Sequence, residues 1–346
     1  MGRYQLTVNQ KKKRKRRIFW FIAFPILLVL AAGISYGVHL YIKADKMMAN
    51  SFESHREDGK SNLRDQKVDP KIDNISILFI GIDDSEKRSQ GTNTRSDALL
   101  LATLNEKEKS VKLLSIPRDS YVYIDEVGYS TKINHAHSYG GPKATIETVE
   151  NLLEIPVDYY VRLDFEAFMQ IVDALNGIEV EVPYTFTEQD SNDRAGAITL
   201  EKGLQTLNGE EALALARTRK KDNDIERGKR QQEIMKAIAK KAASASSVLK
   251  YGQIIDAIGE NMKTDLTFDE ITSLSDYVIS GNLSIETLTI DGYDQYIPNS
   301  KGQNVYYWRL DDQSVAEVKS TLQQHLELNG TTSNVAKPLG EDGTVN

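Results

Sequence analysis

Residues 18–42 contain no Lys, Arg, Asp or Glu. As a helix this stretch spans roughly 37 Å at about 1.5 Å per residue, enough to cross a bilayer. Pro25 is tolerable within such a span. Trp20, Tyr36 and Tyr41 lie toward its ends, where interfacial aromatics sit. The run Lys11-Lys-Lys-Arg-Lys-Arg-Arg17 precedes it and assigns residues 1–17 to the cytoplasm, which places the remainder outside. A cleaved signal peptide would need a shorter apolar core and a small-x-small site at its end; the stretch is longer and ends without one. The expectation is therefore an uncleaved signal-anchor, single-pass, with the folded part outside the cell membrane. Gly33 and Gly37 form a GxxxG pattern, which would support a weak homodimer through this helix.

The charge is divided unevenly along the chain. The whole carries −7, but eight of its 43 basic residues lie in residues 1–17 with no acid beside them. What remains has 35 Lys or Arg against 50 acids, a formal −15. So acidic a body lacks the basic field that nucleic-acid phosphates require. There is no cysteine, so disulfides, thiolate metal sites and a Cys nucleophile are excluded.

Apolar content of 40% suffices for a core. Residues 43–73 are polar and charged and read as an extracellular stalk; 74–328 read as one folded domain, and 329–346 as a disordered tail. Three strand-like runs, Ile75–Ile82, Ala98–Leu104 and Val111–Ile116, open the domain. The polar link 105–110 suits a hairpin between the second and third. Helical periodicity follows at 142–154 and 164–175, with strands at 157–163 and 178–182. Asn208-Gly-Glu-Glu211 and Thr267-Phe-Asp-Glu270 read as helix starts, the second a capping box. Further helices are expected at 226–248, 251–262, 268–280 and 312–328, and strands at 284–290 and 304–309. The alternation predicts an α/β fold: a single α-β-α layered domain with a mixed central sheet, preceded by one transmembrane helix.

Charged residues stand where these strands end. Asp83 and Asp84 follow the first strand, and Pro117-Arg118-Asp119 follows the third. Ligands of open α/β sheets bind at the carboxyl ends of strands. If strands two and three form a hairpin and strand one runs parallel to strand three, one edge collects Asp83, Arg95, Asp97 and Arg118. In the long helix, positions 227, 231, 234 and 238 share one stripe. Ile234 and Ile238 turn that stripe inward, so Arg227 and Gln231 point inward too. An inward guanidinium needs a partner; a structural Asp or a phosphate would serve. Arg217 and Arg219 share a side if the chain is extended there. Arginine recognises phosphate bidentately and keeps its charge, and a nearby carboxylate pair suits a divalent cation bridging phosphate oxygens. His135 and His137 form His-x-His, a metal pattern with no third His near it. Gly140-Gly-Pro-Lys143 lacks P-loop spacing and reads as a turn leading into a helix.

The ordered motifs resemble the LytR-CpsA-Psr family. They are Asn74-Ile-Ser-Ile-Leu-Phe-Ile-Gly-Ile-Asp83, Arg95-Ser-Asp97, Ser115-Ile-Pro-Arg-Asp119, Lys132-Ile-Asn-His-Ala-His-Ser-Tyr-Gly-Gly141 and Val172-Asp-Ala-Leu-Asn-Gly177. Leu207-Asn-Gly209, Ala216-Arg-Thr-Arg219, Asp224-Ile-Glu-Arg227 and Arg230-Gln231 continue the match, which covers about 74–235. The resemblance implies a phosphotransferase on the outer face of a Gram-positive membrane. It would move an anionic glycopolymer, teichoic acid or capsule-like, from a polyprenyl pyrophosphate carrier to peptidoglycan, typically the muramic acid 6-hydroxyl. By position, it implies Mg²⁺, or equally Mn²⁺, on Asp83 and Asp97. It implies pyrophosphate on Arg95, Arg118, Arg217, Arg219, Arg227 and Gln231, with Lys132 beside it, and Asp83, Asp97 and Arg118 as the catalytic set. The lipid would occupy an apolar tunnel between sheet and helices. Asp224 matches the pattern without an assigned role. The family usually has an Arg soon after the first Asp; here Asp84-Ser85-Glu86 come before Lys87-Arg88, which leaves Asp83 versus Asp84 open, with Asp83 favoured.

Three other functions use the same features. A polyprenyl-pyrophosphate phosphatase would use water as acceptor and release polyprenyl phosphate without a glycan product. A membrane-bound transcriptional attenuator would need a cytoplasmic DNA-binding part, and 17 residues are too few for a helix-turn-helix domain. A non-catalytic wall-polymer binding protein would keep its binding after loss of Asp97, with wall phosphate unchanged.

Overall fold

The computed structural model describes residues 41–42, 45–46, 49–56, 58–83, 94–221, 223–242, 261–279 and 283–328. Residues 1–47 and 48–346 are separate units. Of the first, only Tyr41, Ile42, Asp45 and Lys46 are described, and they are helical. The rest of the expected span, the Gly33/Gly37 pair, Asp84 and the 329–346 tail lie outside the described residues. Among those described, no helix is long and apolar enough to cross a membrane.

The centre of the second unit is a six-stranded sheet. Its strands are β1 (Ile75–Ile82), β2 (Ser96–Asn105), β3 (Ser110–Ser115), β6 (Tyr159–Asp164), β11 (Met262–Thr264) and β12 (Ser284–Thr289), in the order β11-β6-β1-β2-β3-β12. β1–β2, β2–β3 and β6–β11 are antiparallel; β1–β6 and β3–β12 are parallel, so the sheet is mixed. The hairpin across 105–110 forms as expected, with Leu104 opposite Val111. β1 therefore runs in the same direction as β3, one strand apart.

Both faces of the sheet are covered, which is why β1 and β2 are nearly continuous apolar runs rather than alternating ones. On one face Leu78, Ile80, Leu99, Leu101 and Leu114 pack with α1 (His135–Leu153) and α6 (Asp312–His325), through Val149, Leu153, Val318 and Leu322. On the other, Ile77, Leu100, Ala102 and Leu113 pack against Met235 of α4 (Asp224–Ala242) and Ile271 of α5 (Phe268–Ile279). A satellite core joins α2 (Phe165–Ala174), α3 (Gly209–Arg217) and Ile234 to two small hairpin sheets. These are β7 (Ile178–Val182) with β10 (Gly203–Leu207), and β8 (Phe186–Glu188) with β9 (Ile198–Leu200). Two more hairpins, β4 (Tyr121–Ile124) with β5 (Tyr129–Lys132), and β13 (Gly292–Pro298) with β14 (Asn304–Leu310), complete the fold.

Local signals account for the helix ends. Asn208 and Glu211 make a reciprocal capping box at α3, and Thr267 and Glu270 do the same before α5. α1 is kinked at Gly140 and Gly141; Gly141 has φ 63°, and Pro142 then starts the straight segment at the position where its missing N–H costs nothing. The turn expected there is present, but a helical turn also precedes it from His135.

Two expectations are corrected. Residue 262 does not end a helix: Met262–Thr264 is the edge strand β11, with Met262 and Thr264 buried and Lys263 between them less so. Three residues are too few for periodicity to declare a strand; residues 251–260 lie outside the described ones. The polar stretch expected as a stalk is, from Ser51 on, bound to the domain. Phe52 bridges Thr264. Arg56 donates to Val157 O at 2.6 Å and to Glu150 at 2.9 Å. Arg64 forks onto Asp158 at 2.9 and 2.7 Å. Docking through buried carboxylates leaves no apolar pattern in the docked segment, so its polarity was misleading.

Candidate active site

The register of the first three strands brings the charged strand ends together. Ile82 pairs with Ser96 and Leu100 with Ser115, and Ile116 N donates to Leu99 O at 2.9 Å, extending the ladder. The carboxyl ends of β1 and β3 thus flank the start of β2. Arg118 Nη1 donates to Asp97 Oδ1 across this edge. α4 lies close over β3 because residue 228 is glycine: a Cβ there would stand 2.4 Å from Ser115 Oγ. That approach carries Arg227 onto the edge, where it is 6% exposed and its Nη2 faces the Asp97 carbonyl at 3.5 Å.

Asp224, one turn before Arg227, ties the arginines together. It lies 3.0 Å from Arg219, 3.4 Å from Arg227 and 3.9 Å from Arg118. Asp119 pairs with Lys132 at 2.7 Å and lies 3.8 Å from Arg118. Burial opposes ionisation of Asp119, but the Lys132 hydrogen bond and charge, with Arg118, hold its carboxyl below the usual range. Burial lowers the Arg227 guanidinium to about 10 against the pull of Asp224, with Arg219 and Arg118 adding repulsion. The Nε atoms of Arg118 and Arg227 are buried without an acceptor among the described residues. A buried donor left unmatched is costly; Arg118 Nε has Asp119 and Asp224 oxygens near it, at 3.8 and 3.9 Å.

Behind this mouth lies a cavity of about 300 Å³ between the sheet and α2, α3 and α4. Its walls are apolar: Phe79 and Leu100 from the sheet, Phe165 and Phe168 from α2, Leu213 from α3, Ile234 and Met235 from α4. Its polar lining is Asp83, Asp97, Asp164, Arg118, Arg217, Arg219, Arg227 and Gln231. Arg217 lies over the Phe165 ring at 4.9 Å, and Gln231 donates to Ala216 O at 3.3 Å. Arg230, bound to the carbonyls of Leu215 at 3.2 Å and Thr218 at 2.5 Å, ties α4 to the end of α3.

Of the residues picked from sequence, Asp83, Asp97, Arg118, Arg217, Arg219, Arg227 and Gln231 line one cavity. Lys132 stands one residue further out, behind Asp119. Arg95 is exposed and outside the cavity lining; its charge acts on His135 and Tyr139. His135, lowered to about 4 by burial and then by Arg95 and Lys132, bonds Thr131, while His137 bonds Thr94 O. The two rings of His-x-His serve different partners. Among the described residues no cluster of three or more His, Asp or Glu forms a metal cage. Asp83 and Asp97 both line the cavity and are the carboxylates that would hold a divalent cation, with Asp97 paired to Arg118 in this structure. Sequence alone left the coupling role of Asp224 unassigned, since an acid in the first turn of a helix is common. It also missed the aromatic wall of α2, whose Phe residues resemble any core stripe.

The LytR_cpsA_psr family model matches residues 36–324. The polyisoprenyl-teichoic acid–peptidoglycan teichoic acid transferase TagT of Bacillus subtilis is 41% identical over 324 residues, covering 92% of this chain and 98% of TagT. The solved structure of TagT bound to LIIa-WTA superposes with TM-score 0.66 at 41% identity, over 78% of this chain and 96% of that one. TagT with bound octaprenyl pyrophosphate lipid gives TM-score 0.61 at 38% identity, over 78% and 97%.

Proposed function

The chain belongs to the LytR-CpsA-Psr family, and from that premise we propose that it is a phosphotransferase moving a teichoic-acid-like glycopolymer from a polyprenyl pyrophosphate carrier to peptidoglycan. One observation carries the reading: a largely apolar cavity whose lining includes Arg118, Arg217, Arg219 and Arg227. That polarity suits a prenyl chain ending in a pyrophosphate, the class of lipid named in the TagT complex. The relatives' activity on teichoic acid and peptidoglycan fits the same site.

The arginines hold the pyrophosphate by charge-assisted hydrogen bonds, worth roughly 1.5–3 kcal/mol each. The lipid lies among Phe79, Phe165, Phe168 and Leu213. The acceptor hydroxyl, typically the muramic acid 6-hydroxyl, attacks the phosphorus nearer the sugar. A new P–O bond forms, the P–O bond to the lipid phosphate breaks, and polyprenyl phosphate leaves with the electron pair. A carboxylate of the pair Asp83 and Asp97 takes the hydroxyl proton. Arg118 and Arg227 face the charge that builds on the phosphoryl oxygens, so catalysis rests on positioning and neutralisation. Asp83 and Asp97 would hold Mg²⁺ or Mn²⁺, which when bound adds positive charge beside those oxygens. Lys132 and Arg95, expected at the pyrophosphate, lie outside the cavity lining. Residues 18–42 as an anchor, with 1–17 in the cytoplasm, would keep the site near its lipid-borne donor.

The test compares wild type, Asp97→Ala and Arg118→Ala as full chains in detergent with polyprenyl-pyrophosphate-linked glycan, uncrosslinked peptidoglycan and Mg²⁺. Glycan joined to the wall polymer by wild type, and a loss of at least roughly 100-fold in both variants, is the expected result. Equal transfer by all three would reject the site.

A further inference from the structure

Beyond Arg118 the chain builds a surface that the transfer reaction does not by itself require. The β4–β5 and β13–β14 hairpins meet where Ser120 bridges Trp308 and Trp308 N donates to Asp119 O at 2.9 Å. Tyr121 and Tyr307 meet edge to face at 4.9 Å between ring centroids, and Tyr296 and Tyr306 at 5.6 Å. The hydroxyls of Tyr129 and Tyr139 lie 3.1 Å apart. Packing of the hairpins explains Tyr121 and Tyr307. It does not explain Tyr296, Tyr129 and Tyr139, which are 63%, 47% and 43% exposed. Single exposed aromatics are ordinary, but two contacting tyrosine pairs, Tyr296 with Tyr306 and Tyr129 with Tyr139, offer more than that.

Tyr306 and Tyr307 adjoin the site through Lys132. Lys132 Nζ lies 5.6 and 5.8 Å from the ring centroids of Tyr306 and Tyr307, and 2.7 Å from Asp119, the neighbour of Arg118. Arg118 also lines the apolar cavity, which none of these tyrosines lines. A donor held at Arg118 with its lipid in the cavity therefore has this face on its outer flank.

Resting on the transfer reading above, we propose that the tyrosine face is the docking surface for the acceptor, the glycan strand of uncrosslinked peptidoglycan. A pyranose ring presents an apolar C–H face that stacks on an aromatic ring, while its hydroxyls and amides bond to phenol groups. Rings spread over two hairpins suit a strand of repeating sugars. In-line displacement puts the attacking hydroxyl opposite the leaving lipid phosphate, on the side away from the cavity, and that side is the acceptor's. The exposed Asp294 accepts from Tyr306 at 3.0 Å, on the strand that carries Tyr296.

The experiment measures binding of short, peptide-free peptidoglycan glycan strands to the full chain in detergent, without donor, and then acceptor and donor KM in the transfer assay. The variants are Tyr296→Ala, Tyr129→Ala and Tyr296→Trp, each checked for unchanged thermal unfolding. The Ala variants are expected to raise strand Kd and acceptor KM about tenfold, a step of about 1.4 kcal/mol, with donor KM and kcat unchanged; Tyr296→Trp keeps near wild-type binding. Unchanged strand Kd in both Ala variants, or a rise in donor KM in place of acceptor KM, overturns the proposal. Wild type that binds strands through these tyrosines but transfers nothing would refute the transferase reading and leave the docking surface standing.

Discussion

Asp224 shows how much of this site rests on one carboxylate placed between cations. It neighbours Arg219, Arg227 and Arg118 within 3.0–3.9 Å, so it sets their spacing before substrate arrives. Asp224→Asn keeps the shape and removes the charge. Loss of contacts of about 1.5–3 kcal/mol should lower kcat for transfer about 10- to 100-fold, with the melting temperature little changed; wild-type kcat would show that the guanidinia are held by other means. Residues at strand ends were legible because an apolar run stops abruptly at them: Asp83, Asp97 and Arg118 could be placed on one edge from β1, β2 and β3 alone. Arg227 was legible from its stripe with Ile234 and Ile238. Asp224 was not, since an acid in the first turn of a helix is common for reasons of the helix dipole.

Among the elements, α4 is the one whose position decides the site. Its seat on β3 depends on Gly228, where a Cβ would fall 2.4 Å from Ser115 Oγ and 3.1 Å from Ser115 Cβ. Gly228→Ala should destabilise the domain by about 1–3 kcal/mol through overpacking, displace Arg227 and reduce transfer. Adding Ser115→Ala should recover most of that loss in denaturant unfolding, and a double variant no better than Gly228→Ala would show the contact is unimportant. Long apolar strands and helices with Asn208 or Thr267 caps were readable because burial and capping leave a signal in neighbouring residues. The strands β4, β5, β8, β9 and β10 left little: at three to five residues, several with exposed side chains, they do not establish a period. The docked segment 51–73 was hidden for a different reason, since Arg56 and Arg64 find their carboxylates at Glu150 and Asp158, far along the chain.

At the scale of the molecule, the layered arrangement separates three chemistries: an apolar cavity between sheet and helices, a cationic mouth at the sheet edge, and an aromatic outer face on two hairpins. A donor that is part lipid, part pyrophosphate and part sugar needs such a division. In the proposed reaction the pyrophosphate bond is broken by transfer and not by water. The most direct measurement is the ratio of products from the full chain with polyprenyl-pyrophosphate-linked glycan and uncrosslinked peptidoglycan: polyprenyl phosphate released against glycan joined to the wall polymer through a phosphodiester. Equal amounts of the two, with little lipid phosphate released when peptidoglycan is omitted, is the predicted result. Polyprenyl phosphate released at the same rate with or without peptidoglycan, and no glycan joined to it, would contradict the claim and make the protein a pyrophosphatase.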